Sequence, residues 1–209
     1  MRPAYIILLA AVLAAGLYAF QSASSSKNEK ADDTLEPLTN LSDLPMAMTL
    51  ESTAFEAGGS IPEEFTCDGN RTLSPPLEWS GVPEHARSLV LIVEDPDIPE
   101  AVAASRGIAI FDHWVLFNIP PAYTGLKEGE AALGIMGSNS AGQNAYTGPC
   151  PPTEYEPKEH RYFFRLYALD AELPLLKGAT KEEVLAAMQG HVLDMAELVG
   201  RYMRPEADE

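Results

Sequence analysis

Basic residues and cysteines are both scarce in this sequence. The 209 residues include 14 Lys and Arg against 31 Asp and Glu, which gives a formal net charge of -17 at pH 7. We do not expect so acidic a chain to be attracted nonspecifically to nucleic acid or anionic lipid, although a local site can still bind an anion. The two cysteines, Cys67 and Cys150, lack the short paired spacing typical of structural zinc sites.

An uncharged apolar run lies near the N-terminus. It covers residues 5–20 and follows Arg2. This length is near the upper end for the apolar region of a cleaved signal peptide and slightly short for a membrane span, and the small residues at 23–25 could serve cleavage. We therefore expect residues 1–25 to be an export signal that is either cleaved or kept as a membrane anchor. Any contact with a membrane would be made through this segment alone.

The rest of the chain divides into a linker and one domain. Residues 26–45 are polar and without sustained periodicity, which is typical of a flexible linker. Residues 46–204 are long enough for a full hydrophobic core. The sequence contains 17 prolines and 15 glycines, and those in this region alternate with strand-like runs. This pattern predicts a mainly β domain.

Several runs in the domain have the composition of β-strands. The strand at 88–94 is apolar on both faces, as expected of a central strand. The loop at 124–147 is long enough to suggest a functional role. The connection at 100–109 carries no predicted element. The predicted strands are 48–55, 77–79, 88–94, 111–119 and 161–169.

The C-terminal region is predicted to be helical. Thr180 and Glu183 form a capping-box pattern at the start of a helix. Apolar residues then recur at spacings of three and four, and Gly190 marks a break, so we expect short helices packed against the sheet. The apolar positions are Val184, Met188, Val192, Met195, Val199 and Tyr202.

Polar side chains are found at strand ends where the core does not require them. With a period of two, Asp95 continues the strand face of Val93, and His113 the face of Val115. If their strands are neighbours, a carboxylate, two imidazoles and a phenol converge, which suits the capture of a small oxyanion. Each could instead be an ordinary surface or turn residue, as we expect for His85 and His191. The candidates are Asp95, Asp97, His113, His160 and Tyr162.

A rigid loop precedes His160. Three of the five residues from Gly148 to Pro152 are prolines, so the loop is preset and loses little entropy when it binds a ligand. We expect its N–H groups to help hold an anion.

Taken together, these motifs resemble the phosphatidylethanolamine-binding protein family. Within it they are similar to the bacterial YbhB/YbcL, or Raf-kinase-inhibitor-like, branch. The resemblance runs from about residue 48 to residue 202, in order and with matching gaps. The segments that carry it are Cys67-Asp-Gly, Ser74-Pro-Pro-Leu-Glu-Trp79, Asp95-Pro-Asp97, His113-Trp114, Asn118-Ile-Pro120, Gly148-Pro-Cys-Pro-Pro152 and His160-Arg-Tyr162.

The resemblance implies a β-sandwich of two antiparallel sheets with short helices at the C-terminal side. It also implies a small pocket for phosphate, phosphorylethanolamine or related head groups. The sequence carries no metal signature, and we expect no cofactor and no metal. His113, His160 and the backbone of Gly148 would face the oxyanion. The implied ligand-binding residues are Asp95, Asp97, His113, Trp114, Gly148, Pro149, His160 and Tyr162.

One segment departs from the family pattern. Residues 153–159 are longer and more acidic than the usual link before the histidine, and we expect them to reshape the mouth of the pocket.

Both cysteines lie in family motifs of an exported chain. We predict that Cys67 and Cys150 form a disulfide that ties the pocket loop to the region of residues 74–76. The alternatives are two buried free thiols, or a metal site formed with His113 and His160.

The sequence favours a binding protein over an enzyme. The expected protein is exported to a bacterial periplasm, or anchored facing it, and holds a phosphorylated or other anionic small molecule, with a protein partner also conceivable. Some family members inhibit proteases or kinases, which gives a second version of this role. A hydrolase would use His113 or His160 as general base and Asp95 to orient it, but no motif places a nucleophile beside them.

Overall fold

The computed structural model describes residues 47–130 and 133–205. The predicted signal at 1–25 and linker at 26–45 lie outside these residues. No helix within the described ranges is long and apolar enough to cross a membrane. In chain order the elements are β1 (Thr49–Glu51), a 3-10 turn (Glu63–Phe65), β2 (Leu77–Ser80), β3 (Ser88–Asp95), α1 (Glu100–Arg106), β4 (Phe111–Ile119), β5 (Gly125–Leu126), β6 (Ile135–Met136), β7 (Glu159–Leu169), α2 (Lys181–Met188) and β8 (Val192–Met203).

The strands form two antiparallel sheets, as predicted. The smaller sheet has the order β1-β2-β5, and the larger has the order β6-β4-β3-β7-β8. Every neighbouring pair runs antiparallel. The central position of β3 in the larger sheet explains why its sequence is apolar on both faces.

Two hydrophobic clusters cover the two faces of the larger sheet. Leu89 and Leu91 of β3 pack with Trp79 of the smaller sheet in the inner cluster. On the outer face, Val90 of β3 packs in a second cluster that includes Val184 of α2. Burying a side chain of this size contributes about 1.5–3 kcal/mol, so both layers stabilise the central strand.

The C-terminal region corrects the prediction of several helices. α2 begins with the predicted capping box, in which the Thr180 side chain accepts from the amide of Glu183. After Gly190, which has a positive φ of 76°, the chain continues as a strand. β8 pairs with β7 from Val192 to Met203. The inner core contains side chains that alternate along β8, which are those of Ala196, Leu198 and Tyr202. Pairing along the length of β7 outweighs the helical spacing of the other apolar residues.

The remaining differences are smaller. The first strand covers Thr49–Glu51 rather than all of 48–55, and the connection at 100–109 contains α1. The loop at 124–147 contributes β5 and β6, each of two residues. His191 follows α2 instead of lying within it, and its Nδ1 lies 2.7 Å from Oδ1 of Asp170.

Candidate functional site

Three predicted site residues meet at one edge of the larger sheet. Asp95 ends β3, whereas His113 and His160 lie near the starts of β4 and β7. β4 and β7 flank β3 and run antiparallel to it, so the starts of these strands lie beside the end of β3. The residues line a cavity of about 310 Å³.

A β-bulge turns His113 toward this cavity. Val93 pairs with Trp114, but Glu94 pairs with Asp112, so His113 is the extra residue on β4. Asp112 consequently reaches Lys181 of α2 on the outer face. The prediction that His113 shares a face with Val115 is therefore wrong, because regular alternation breaks at this point.

The Asp95 carboxylate orients His160. Its Oδ2 lies 2.7 Å from Nδ1 of His160, and its Oδ1 accepts the backbone amide of Asp97 at 2.8 Å. The side chains of Asp95 and His160 are 5% and 1% exposed. A carboxylate accepts hydrogen bonds, so the Nδ1 of His160 donates. Its other nitrogen, Nε2, is buried and has no partner among the described residues.

His113 is oriented in the same way by a backbone carbonyl. Its Nδ1 lies 2.6 Å from the carbonyl oxygen of Thr147. Because that oxygen can only accept, Nδ1 of His113 is the donor. Burial lowers the pKa of His113 below its ordinary value of 6.5, so the ring is neutral at neutral pH.

Asn139 builds the loop that supplies Thr147. Its side-chain amide donates to the carbonyl of Ala145 and to Oγ1 of Thr147, both at 2.9 Å. Its side-chain oxygen accepts the amides of Ala141 and Gln143 at 3.0 Å. All the hydrogen-bonding capacity of this buried side chain is therefore used to hold the loop in place.

Two arginines line the cavity. Arg71 donates from Nη2 to Sγ of Cys150 at 2.9 Å, and the guanidinium of Arg106 lies 5.7 Å from the centre of the Phe111 ring. Neither arginine was predicted from the sequence. Arg71 could have been found, because it follows Cys67 closely and the predicted disulfide brings Cys67 to Cys150. Arg106 depends on α1, which was not predicted.

The remaining lining is mostly apolar. Nonpolar side chains surround the opening, so the cavity suits a ligand with a charged group and a less polar part. These side chains belong to Ile98, Pro99, Val102, Phe111, Ala141 and Pro152. None of the residues 153–159 is among these lining residues.

The predicted disulfide is present and fixes the rigid loop. Cys67 and Cys150 are bonded, with their Cα atoms 5.3 Å apart. Both sulfur atoms are therefore unavailable as metal ligands. The amide of Cys67 also donates to the carbonyl of Pro149 at 2.9 Å. The loop is thus tied to the segment around residues 66–71, slightly before the expected region at 74–76.

Gly148 lines the cavity, but its amide does not face it. The N–H donates to the carbonyl oxygen of Arg71 at 2.7 Å, contrary to the expectation that it would hold an anion. A Cβ at this position would lie 2.3 Å from the carbonyl oxygen of Phe65. Glycine is therefore needed because two backbone segments approach closely.

Four other predicted residues do not line the cavity. Tyr162 packs edge-on against His113, with ring centres 5.2 Å apart, and its buried hydroxyl has no partner among the described residues. Asp97 forms a two-point ion pair with Arg161 at 2.7 and 2.8 Å. Trp114 is buried in the inner core, and Pro149 offers its carbonyl to Cys67.

Comparisons with known proteins agree with this architecture. The family model described as phosphatidylethanolamine-binding protein matches residues 51–203. A UPF0098 protein of Methanothermobacter thermautotrophicus is 50% identical over 163 residues, covering 75% of this chain and 99% of the relative. A UPF0098 protein of Chlamydia muridarum is 45% identical over 155 residues, covering 74% of this chain and 98% of the relative.

Two solved structures have the same fold. One is a phosphatidylethanolamine-binding protein homologue from Chlamydia trachomatis, with a TM-score of 0.70 and 44% identity, covering 77% of this chain and 99% of its own. The other is YbcL of E. coli, with a TM-score of 0.66 and 26% identity, covering 76% and 99%. Because the family model spans most of both sheets and all the residues that line the cavity, the chain belongs to the phosphatidylethanolamine-binding protein family.

Proposed function

We propose that the cavity binds a phosphate group or another small oxyanion, free or as part of a phosphorylated head group. The observation that carries this proposal is the buried Nε2 of His160, which lacks a partner among the described residues in a cavity also lined by Arg71 and Arg106. Leaving a buried polar atom unpaired costs about 1–3 kcal/mol. A ligand that supplies a partner for this nitrogen therefore recovers part of that energy.

The local charge favours an anion despite the acidity of the whole chain. Arg71 and Arg106 remain charged at any physiological pH and can make charge-assisted hydrogen bonds to oxyanions. Asp95 is the carboxylate in the lining, and both of its oxygens already accept hydrogen bonds from the protein. Its charge is partly satisfied before a ligand enters.

A larger groove of about 870 Å³ crosses the smaller sheet, but it offers less support for binding. It is lined by residues that include Glu51, Glu78 and Glu130. None of its described lining residues carries a buried, unpartnered side-chain atom. The cavity at His160 therefore remains the better candidate.

Calorimetric titration of the purified full chain with inorganic phosphate and phosphorylethanolamine tests the proposal. We expect binding to the wild type, and a loss of at least tenfold in affinity in His160→Ala and in Arg71→Gln. His191→Ala is the matched control, because this histidine is exposed and lies outside the cavity. Failure of the wild type to bind any oxyanion would overturn the proposal.

The same samples distinguish a binding protein from a hydrolase. The hydroxyl in the cavity lining belongs to Thr147, whose Oγ1 accepts a hydrogen bond from Asn139, and no hydrogen bond joins it to a histidine among the described residues. Cys150 is held in the disulfide. We expect no turnover of phosphate esters, and turnover that disappears in His160→Ala would favour the enzyme.

We further propose that the protein works outside the cytosol, in a bacterial periplasm or facing it from the membrane. The Cys67–Cys150 disulfide supports this, since such bonds persist in oxidising compartments, and so does the apolar run at 5–20. Fractionation of cells that express the full chain should place it in the periplasm or the membrane fraction. Recovery in the cytosol with reduced cysteines would contradict this location.

A further inference from the structure

The same ring nitrogen, Nδ1, donates a hydrogen bond to the protein in both cavity histidines. Nδ1 of His160 donates to the Asp95 carboxylate, and Nδ1 of His113 donates to the Thr147 carbonyl. A neutral imidazole has one N–H, so in each ring this geometry places it at Nδ1. Nε2 of each neutral ring therefore carries a lone pair and can only accept a hydrogen bond.

This arrangement conflicts with the binding of a fully deprotonated oxyanion. The oxygen atoms of such an anion are acceptors, as is the Nε2 of a neutral histidine. The Gly148 amide cannot substitute as a donor, because it is bonded to Arg71. An anion that reaches the buried Nε2 of His160 must therefore find a proton there or bring one.

We infer that the cavity takes up its oxyanion together with one proton, which bridges Nε2 of His160 and an oxygen of the ligand. This inference rests on the proposed function. The proton comes either from solution, giving an imidazolium that donates to the anion, or from a ligand that still carries an acidic hydrogen. Asp95 is then a positioning residue, which fixes the ring and stabilises its protonated form.

The bridging proton is assigned to His160 and not to His113 because different groups lie behind the two rings. Behind His160 lies a carboxylate, which is attracted to an imidazolium, whereas behind His113 lies a neutral carbonyl. Burial of His113 also lowers its pKa, which favours the neutral ring. The two histidines therefore have different tasks: the proton shared with the anion lies at His160, and His113 stays neutral.

The other groups around His160 do not change charge near neutral pH. Burial raises the pKa values of Tyr162 and Tyr202, which therefore stay neutral, and the hydrogen bond from Arg161 lowers the pKa of Asp97, which stays ionised. The bridging proton is thus assigned to the Asp95–His160 pair. The titratable and charged groups that face His160 are Asp95, His113, Tyr162, Tyr202, Asp97, Arg161, Arg71 and Arg106.

Counting protons during anion binding tests this inference. The purified full chain is titrated calorimetrically with inorganic sulfate and inorganic phosphate between about pH 6 and 8.5, in buffers of different ionisation enthalpy. Sulfate keeps both of its charges over this range, so any proton it requires comes from solution. We expect uptake of about one proton per sulfate on the alkaline side, with affinity falling by up to about tenfold per pH unit.

The Asp95→Asn variant tests the role of the pair. In this isosteric side chain the carbonyl oxygen keeps the hydrogen bond from the backbone amide of Asp97, so the side-chain amide faces Nδ1 of His160. The ring proton then moves to Nε2 and makes the neutral ring a donor. Proton uptake should then fall toward zero and the pH dependence should flatten. Asp170→Asn is the control, because it changes an exposed Asp–His pair outside the cavity and should keep the proton uptake of the wild type.

The possible outcomes separate the inference from the proposed function. Sulfate binding by the wild type without proton uptake overturns the inference and leaves the anion site in place. Undiminished uptake in a folded Asp95→Asn variant overturns the assignment to the Asp95–His160 pair. Absence of binding by either anion at every pH overturns the proposed function and the inference together. If Asp95→Asn does not fold, the number of protons that the wild type takes up with sulfate still tests the inference.

Discussion

The backbone amide of Gly148 donates a hydrogen bond of 2.7 Å to the carbonyl oxygen of Arg71. The disulfide between Cys67 and Cys150 and the bond from Cys67 to the carbonyl of Pro149 join the same two segments. Arg71, Gly148 and Cys150 line the same cavity as the two histidines. Part of the cavity wall is thus built by loops that are tied to each other.

Loss of the disulfide should lower stability and anion affinity together. It closes a separation of 83 residues, and a native bond of this kind contributes about 2–4 kcal/mol. We expect the double variant Cys67→Ser with Cys150→Ser to lose a free energy of unfolding in this range, measured in urea. Phosphate affinity should fall as well, since Arg71 loses its anchor. Equal stability of the two proteins would show that the loops do not depend on the bond.

Replacement of Gly148 by alanine should disrupt the contact between these loops. The new methyl group would lie 2.3 Å from the carbonyl oxygen of Phe65, so the backbone must shift. We expect a loss of about 1–3 kcal/mol in the free energy of unfolding and weaker phosphate binding.

Gly142→Ala provides the comparison for this substitution. Gly142 has a positive φ of 73°, but an added methyl group would have no neighbouring atom within 4 Å, so its replacement tests conformational strain without a collision. That variant should lose about 1–2 kcal/mol and keep its phosphate affinity. Similar binding losses in the two variants would contradict the collision argument.

Lys181 should be the most sensitive charged residue outside the cavity. It is buried, and its Nζ lies 3.2 Å from Oε2 of Glu94 and also forms an ion pair with Asp112. Lys181→Met would leave the buried Asp112 carboxylate without its cation, whereas Glu94 keeps its ion pair with Arg165. Leaving a buried charge unpaired in this way should cost about 3–5 kcal/mol. Thermal unfolding of the exposed Lys177→Met variant serves as the control and should be near that of the wild type. An unchanged Tm in Lys181→Met would show that the ion pairs are not needed.

The domain should lose stability in acid as the carboxylates of two ion pairs are protonated. Hydrogen bonds from Arg204 and Arg161 lower the pKa values of Asp68 and Asp97 below the ordinary 3.8. The unfolded chain therefore binds protons first, and the stabilisation is complete above about pH 4 and lost as pH falls through the lower, folded-state pKa values. Tm should fall steeply below about pH 4.

The variant Asp68→Asn tests the sign of this effect. It should have a lower Tm than the wild type at pH 6, and the two Tm values should converge in acid, where the wild-type carboxyl is also neutral. Glu84→Gln, in an exposed loop, should follow the wild-type curve. A constant difference between Asp68→Asn and the wild type at every pH would contradict this explanation.

The convergence of the main site residues could be predicted from the sequence. Asp95, His113 and His160 each lie at the end of a strongly apolar or aromatic run, and antiparallel neighbours bring such ends together. The pairing of Cys67 and Cys150 was also predictable. These features depend on strand order and on local composition, which the sequence carries.

The finer geometry of the site could not be predicted in this way. The bulge at His113 depends on the register between β3 and β4, and that register is set by packing on both faces of the sheet. The partner of the Gly148 amide, and the presence of Arg106 in the lining, depend on how loops fold back onto the domain. β8 was mistaken for a helix because its pairing with β7 is not visible in its own sequence.

Contact between the anion and the imidazole of His160 is the central claim, and nitrogen NMR of the histidine side chains tests it most directly. The chain has four histidines, so the spectrum is simple to assign with single variants. On addition of inorganic phosphate, the resonances of Nε2 in His160 and His113 should move, and those of His85 and His191 should not. If phosphate leaves the His160 and His113 signals unchanged at saturating concentration, the cavity is not an anion site.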